Sequence, residues 1–318
     1  FPITFKTSQG KRHLFVIIPK VENEKKLSGI FPISSGDREM ANAEEASLKY
    51  LTKTWLSEDL EIFWVKMLGV IPEFNAIVTE RIQADEALAV FRHSDFNARF
   101  GYSIGRKRLN DLMENFGRAL HRFHAKGSKK TYFYLSSELP KLTSYCQKLA
   151  MKSGSALPAQ IMDDLKNIEK VRLKSSEVPT LKGIDIRNFL ITKAKQIYLL
   201  DPGKIKYSNP EADLARFVMT YRIIFWGSPL FLLMQAAGRC SEEAFLKGYY
   251  SNTKRTHKGI FHLYLLKEQL KHWITAIESL EQRPWPASIK KMVNWIYVKP
   301  FYSKQIASQY ALLKTTLK

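Results

Sequence analysis

Hydrophobic residues change their spacing twice along this chain. Over the first hundred positions they come in short runs rich in β-branched and aromatic side chains. "FPITFKTS" and "HLFVIIPK" predict two strands joined at "QGKR", the layout of a hairpin. A polar stretch with Gly and Ser follows. "REMANAEEASLKYLTKTWL" then sets Met40, Ala43, Ser47, Leu48, Leu51 and Trp55 on a helical period. "EIFWVKMLGVI" and "FNAIVTERI" predict two further strands about a turn at Pro72.

From about Arg106 the period becomes helical. "RLNDLMENFGRALHRFHAKG" puts Leu109, Leu112, Met113, Phe116, Leu120 and Phe123 on one face, with Gly127 as the stop. A mixed helical and loop stretch is expected up to Pro179. "NFLIT" and "QIYLLD" predict a small hairpin around "KAK". Beyond Pro210 the pattern is helix nearly to the end, over Ala212–Tyr221, Ser241–Tyr250, Ile260–Leu280, Ile289–Trp295 and Tyr302–Leu317. The expected class is α+β: a strand-rich lobe over residues 1–82 with one main helix, and a helical lobe over 83–318. The connector falls near Thr79 to Ala87, and a cleft between unequal lobes is a usual place for a ligand.

Composition narrows this picture. Hydrophobic residues at 45% and charged residues at 25% are ordinary for a globular chain. Cys146 and Cys240 show no metal-type or CxxC spacing, which points to two idle thiols and a cytoplasmic setting. The longest apolar run, "IIFWGSPLFLLM", is too short to span a bilayer, is broken by Gly227 and Pro229, and predicts a buried helix pair. The chain begins at Phe1 without Met, so a preceding segment is expected. Fifty basic against thirty acidic residues leave +20, which calls for an anionic partner. Nucleotide phosphates, an acidic glycan-like acceptor and an anionic membrane surface at the inner face all satisfy that sign. Nucleic acid is disfavoured, because no zinc finger, RNP strand or GxxG clamp is visible.

Phosphoryl transfer needs a Lys on the phosphates, a carboxylate to hold it, magnesium ligands and a residue that orients the acceptor hydroxyl. Candidates occur in that chain order. Lys20 ends a strand, and Glu44, with Glu45 as fallback, follows on the first helix. Asn188 and Asp201 flank the small hairpin, where both polar ends would meet at one rim and offer hard oxygen ligands to Mg²⁺. "DPG" also fits a plain turn.

"RNFLI…IYLLDPGK…NPEADLARF" resembles the core of the protein-kinase-like phosphotransferases, in particular the aminoglycoside phosphotransferase and choline kinase group and the bacterial lipopolysaccharide kinases. "FGRALHRFHAKG" is similar to the helix before their catalytic loop, "VTERI" to their hinge and "EEAFLKGYY" to a late helix. The resemblance implies a bilobal kinase-like fold with ATP and Mg as cofactors. Lys20 would contact phosphate and Glu44 would pair with it, while Glu80, Arg81 and Ile82 would present backbone groups to adenine. Asn188 and Asp201 would hold the metal, and Asp213 would brace the catalytic loop. His124 matches a helix-end His, either packed or functional.

The pattern breaks at its centre. The slot for the catalytic Asp, five before Asn188, holds Gly183, and the expected His-Gly-Asp reads Leu181-Lys182-Gly183. Asp185 is the nearby carboxylate, either a relocated base or a loop brace. "SQGKR" is a poor Gly-rich loop, and such a loop is expected before Phe1. In "RPWPASIKKMVNWIYVKPFYSKQ" aromatic and basic residues suit sugar rings, acidic groups or a membrane interface, or else plain helix packing. Three readings follow: a kinase of a hydroxylated small molecule or glycoconjugate, a silent kinase-fold binding protein, and a basic membrane-surface or nucleic-acid binder.

Overall fold

The computed structural model describes residues 2–7, 10–19, 34–55, 58–87, 89–90, 103–166, 170–194, 196–226, 235–251 and 258–316. Lys20 and residues 227–234 of the long apolar run lie outside them. Packing divides the chain into two units, each assembled from separated stretches. The first contains residues 1–127, 179–207 and 239–252, and the second residues 128–178, 208–238 and 253–318.

In the first unit, β1 (Pro2–Thr7) and β2 (Gly10–Ile17) form the expected antiparallel pair. Pairing reaches Thr7 opposite Gly10, so Gly10, Lys11 and Arg12 extend the strand rather than the turn. The predicted strand at 61–71 is two: β3 (Ile62–Trp64) and β4 (Met67–Ile71). They enter different sheets. β4 joins β5 (Ala76–Glu80) and β2 in the order β1-β2-β5-β4. β3 pairs in parallel with β10 (Ile197–Leu199), which pairs antiparallel with β9 (Phe189–Ile191), and β6 (Asp85–Glu86) closes the other edge. Leu48, Val65 and Ile77 form a buried cluster with Trp64, Ile82, Tyr198 and Leu200 packed on it.

Helix α1 (Ser35–Thr54) starts at a capping box, in which the Ser34 hydroxyl accepts from the Asp37 amide and the Asp37 carboxylate from the Ser34 amide. Its inward face is Ala41, Glu44, Ser47, Leu48 and Leu51, while Met40 points to solvent. All six residues assigned to the buried face of α2 (Ser103–Lys126) are buried. α2 meets α6 (Gln235–Tyr250) at two glycines: a Cβ on Gly117 would lie 2.2 Å from the Phe245 carbonyl oxygen, and one on Gly248 2.0 Å from that of Glu114. Phe116 stacks on Phe245 beside this crossing and meets Phe189 edge-on.

The second unit is helical around one pair of sequence-distant strands. β7 (Lys129–Tyr134) pairs antiparallel with residues 172–177 of β8 (Arg172–Leu181), a strand pair where helix and loop were expected. β7 carries one buried side chain, Phe133, too few to give an alternating pattern. α3 (Leu139–Ser153) and α4 (Leu157–Lys166) follow, with Cys146 buried as a free thiol. After the short β11 (Ile205–Ser208) come α5 (Glu211–Trp226), the deeply buried α7 (Lys258–Glu281), α8 (Ala287–Val293), a π turn over Asn294–Val298, and α9 (Lys299–Thr316). Helices cover the five segments expected beyond Pro210, the last as far as Thr316, while most of the helix pair expected over Ile223–Met234 lies outside the described residues. Among the described residues no helix is long and apolar enough to cross a membrane.

Candidate functional site

Apart from Asp213, the candidate site residues that the structure describes belong to the first unit. The β9–β10 hairpin fixes two of them. The Leu200 amide donates to the Asn188 carbonyl at 2.9 Å, just past the last rung, Phe189 opposite Leu199, so Asn188 and Asp201 leave the hairpin side by side. The Asn188 side-chain amide donates to the Gly183 carbonyl at 2.9 Å, which leaves its Oδ1 as the acceptor that could face a ligand. Asp201 accepts from the Gly203 amide through Oδ1 at 2.8 Å, an Asx turn made possible by the left-handed φ of +58° at Gly203. Its second oxygen remains available as a hard ligand.

Glu44 arrives from α1. Burial pushes its carboxyl up to about 7, and the Asp201 charge adds to the shift. The buried Glu44 thus lies close enough to the exposed Asp201 to feel its charge, and a cation beside them would relieve that repulsion. Glu45, the fallback, instead pairs with Lys49 at 2.5 Å on the outer face. Ser47, placed by its spacing among the apolar positions, has a polar role: its hydroxyl accepts from the Ile205 amide at 3.3 Å. This ties α1 to the chain just past Asp201.

The glycine in the base slot has a steric cause. A Cβ on Gly183 would sit 1.9 Å from the Asp201 carbonyl oxygen and 2.9 Å from the Pro202 carbonyl carbon. The Gly183 amide donates to Pro202 at 3.0 Å, so the two loops touch backbone to backbone. No side chain fits there. Asp185 caps the single turn Ile186–Asn188, accepting from the Arg187 amide at 2.9 Å. The Arg187 guanidinium closes on both Asp185 oxygens, through Nε at 2.9 Å and through Nη2. Asp185 is nearly buried, whereas Arg187 is mostly exposed. Sequence spacing named the acid and missed its partner two residues on.

The hinge residues are only partly free. The Glu80 amide donates to the Lys66 carbonyl at 3.0 Å, and the Glu80 carboxylate accepts from the Lys66 amide at 2.8 Å. Arg81 is exposed, and Ile82 packs on the Leu48–Val65–Ile77 cluster. Lys20 lies outside the described residues. His124 is buried against α6, its Nδ1 2.8 Å from the Tyr249 hydroxyl, and Asp213 is buried in the first turn of α5 with Arg216 3.5 Å away. No cluster of three His, Cys, Asp or Glu suited to a metal occurs among the described residues, so any cation site here would rest on the Asn and Asp pair.

No family model and no curated protein matches this chain. Solved structures do. The chain is similar to a choline/ethanolamine kinase family protein from Mesorhizobium loti, with a TM-score of 0.54 and 14% identity, over 96% of this chain and 85% of that one. It is also similar to a glucosamine kinase, with a TM-score of 0.54 and 9% identity, over 87% of this chain and 69% of that one. A glucosamine kinase solved with glucosamine, ADP and inorganic phosphate matches with a TM-score of 0.51 and 9% identity, over 76% of this chain and 60% of that one. At these identities the likeness establishes the fold. It is the α+β fold of the protein-kinase-like phosphotransferases.

Proposed function

We propose that the chain is an ATP- and Mg-dependent phosphotransferase that moves a phosphoryl group onto a hydroxyl of a small molecule or an acidic glycoconjugate, such as a lipid-linked sugar. The observation that carries this reading is that Asn188 and Asp201 leave one hairpin together, with the buried helix carboxyl Glu44 near enough to feel the Asp201 charge, on a kinase fold. A buried carboxyl within reach of an exposed carboxylate's charge is relieved by a cation. The donors are carboxylate and amide oxygens, the hard set that magnesium takes, so the residues fit the metal. Asn188 and Asp201 would hold it, and bound magnesium would neutralise phosphate charge. Lys20 is assigned to the phosphates, Glu44 to Lys20, and the backbone of Arg81 and Ile82 to adenine. The Glu80 amide is already engaged by Lys66, which shifts the adenine contact toward its two successors. The similar glucosamine kinase was solved with ADP, which supports a nucleotide in this fold.

In this reading Asp185 accepts the proton of the acceptor hydroxyl once Arg187 swings aside, and the exposed guanidinium is free to move toward an anionic ligand. The division of the chain into a nucleotide-binding part, 1–82, and an acceptor part, 83–318, belongs to the same proposal.

A second reading, a nucleotide-binding protein without turnover, is favoured by one pair of observations: nothing can replace Gly183, and Asp185 is held by Arg187. Thermal unfolding with ATP–Mg, ATP with EDTA, and Mg alone tests the common ground. Stabilisation by ATP–Mg beyond that by ATP with EDTA or by Mg alone, the excess lost in Asp201→Asn, is expected; an ATP–Mg effect no larger than that of ATP with EDTA sinks both readings. A screen of alcohol acceptors then separates them. If ATP hydrolysis or transfer occurs and Asp185→Ala leaves it unchanged, the assignment of Asp185 is wrong.

A further inference from the structure

The segment from Gln282 to Lys318 holds seven basic residues and no acidic one, in 37 positions. Within it α8 buries none of its side chains, and the following π turn buries only Val298. The inner edge is nonetheless fixed. Val298 and Tyr302 are buried, and Tyr302 stacks on Trp273 of α7 at 6.2 Å. On the outer edge Ile289, Met292, Trp295 and Ile296 recur at helical spacing, and Trp295 is 72% and Ile296 61% exposed. A rigid helical face of large apolar side chains therefore points to solvent.

Its surroundings are cationic. Lys290 donates to the Glu281 carbonyl and Lys299 to that of Gly154, backbone contacts that leave both charges in place. Among the described residues Arg283, Lys290, Lys291, Lys299 and Lys304 form no ion pair with a carboxylate. Apolar side chains flanked by uncompensated cations match the boundary of an anionic bilayer: indole and aliphatic groups enter the acyl edge while ammonium groups stay with the headgroups. The alternatives fit less well. Nucleic acid would reward stacking rings over Ile289, Met292 and Ile296. A second copy packed on the same face about a two-fold axis would bring like charges together.

We infer that the outer face of residues 285–296 is a docking surface for an anionic phospholipid bilayer, with Trp295 and Ile296 inserted and Lys290 and Lys291 on the headgroups. The inference goes beyond the phosphotransferase reading and needs no nucleotide. It is tested on the full chain with vesicles of phosphatidylcholine alone and of phosphatidylcholine with a quarter phosphatidylglycerol, without ATP. Co-sedimentation with the anionic vesicles and a blue shift of tryptophan emission are expected. Trp295→Ser with Ile296→Ser, and separately Lys290→Glu with Lys291→Glu, should each weaken that binding by about tenfold or more. The apolar pair should keep the wild-type melting temperature, because both side chains are exposed, and the lysine pair, which loses the Lys290 hydrogen bond to the Glu281 carbonyl, should melt within a few degrees of it. Three results would overturn the inference: no binding to anionic vesicles, binding untouched by the apolar pair, or a concentration-dependent dimer abolished by that pair in the absence of lipid.

Discussion

At the scale of single residues, Gly183 carries the sharpest expectation. Restoring a carboxylate with Gly183→Asp should recover no activity, since any Cβ there collides with the Asp201 and Pro202 backbone. Even Gly183→Ala should cost about 3 kcal/mol by urea unfolding, in the range for forced overpacking. A stable, well-folded Gly183→Asp would show that the loops can part. Glu44 makes a second, pH-dependent expectation. Its folded carboxyl titrates at about 7 against 4.5 for the free group. Between those values the folded state holds more proton than the unfolded one, so stability falls as pH rises through the window. The full penalty, about 3 kcal/mol, is present above pH 7 and absent below the unfolded value. Glu211, also pushed up to about 7 by burial, acts in the same direction. Glu44→Gln should therefore roughly halve the loss of stability between pH 5 and pH 8 rather than remove it. An unchanged loss would mean that Glu44 is charged and already paired with Lys20 before nucleotide binds, whereas the expected loss places that pairing in the nucleotide-bound state.

At the scale of elements, the crossing of α2 and α6 depends on two missing side chains. Alanine is the better helix former by about 1 kcal/mol, which alone would make Gly117→Ala and Gly248→Ala stabilising. The 2.2 Å and 2.0 Å approaches to backbone oxygens reverse that sign. Each substitution should lower the melting temperature by several degrees, corresponding to about 2–3 kcal/mol, because a backbone oxygen cannot rotate away. The amphipathic helices were legible because one face of each is buried at a regular period, as in α2 from Leu109 to Phe123. The hairpin around "KAK" was legible for the same local reason. β7 and β8 were not, because "KKTYFY" buries one residue and its partner begins about forty positions later. Nor does spacing reveal that β3 pairs in parallel with β10, a contact set by the fold rather than by either strand. In the site, sequence named Glu44, Asn188 and Asp201 together. It could not foresee that Gly183 is required by a backbone contact, or that Ser47 anchors the chain after Asp201, since neither leaves a local pattern.

At the scale of the whole molecule, a net charge of +20 acts on every binding experiment. Uncompensated like charge strains the folded state, and salt screens it over about 8–10 Å at 0.1–0.15 M. The melting temperature should therefore rise with sodium chloride between about 0.02 and 0.2 M, a range set by that screening length. A polyanion such as tripolyphosphate should raise it further without any specific site. ATP is itself a polyanion, so stabilisation by ATP alone says little. The discriminating quantity is the excess stabilisation by ATP–Mg over tripolyphosphate–Mg at matched ionic strength. That excess should persist at 0.2 M salt, because the proposed nucleotide site borders the buried Glu44, where salt screens less than over open surface. It should vanish in Asp201→Asn. If the two polyanions stabilise equally and salt erases both effects, the protein binds nucleotide only as it would any anion.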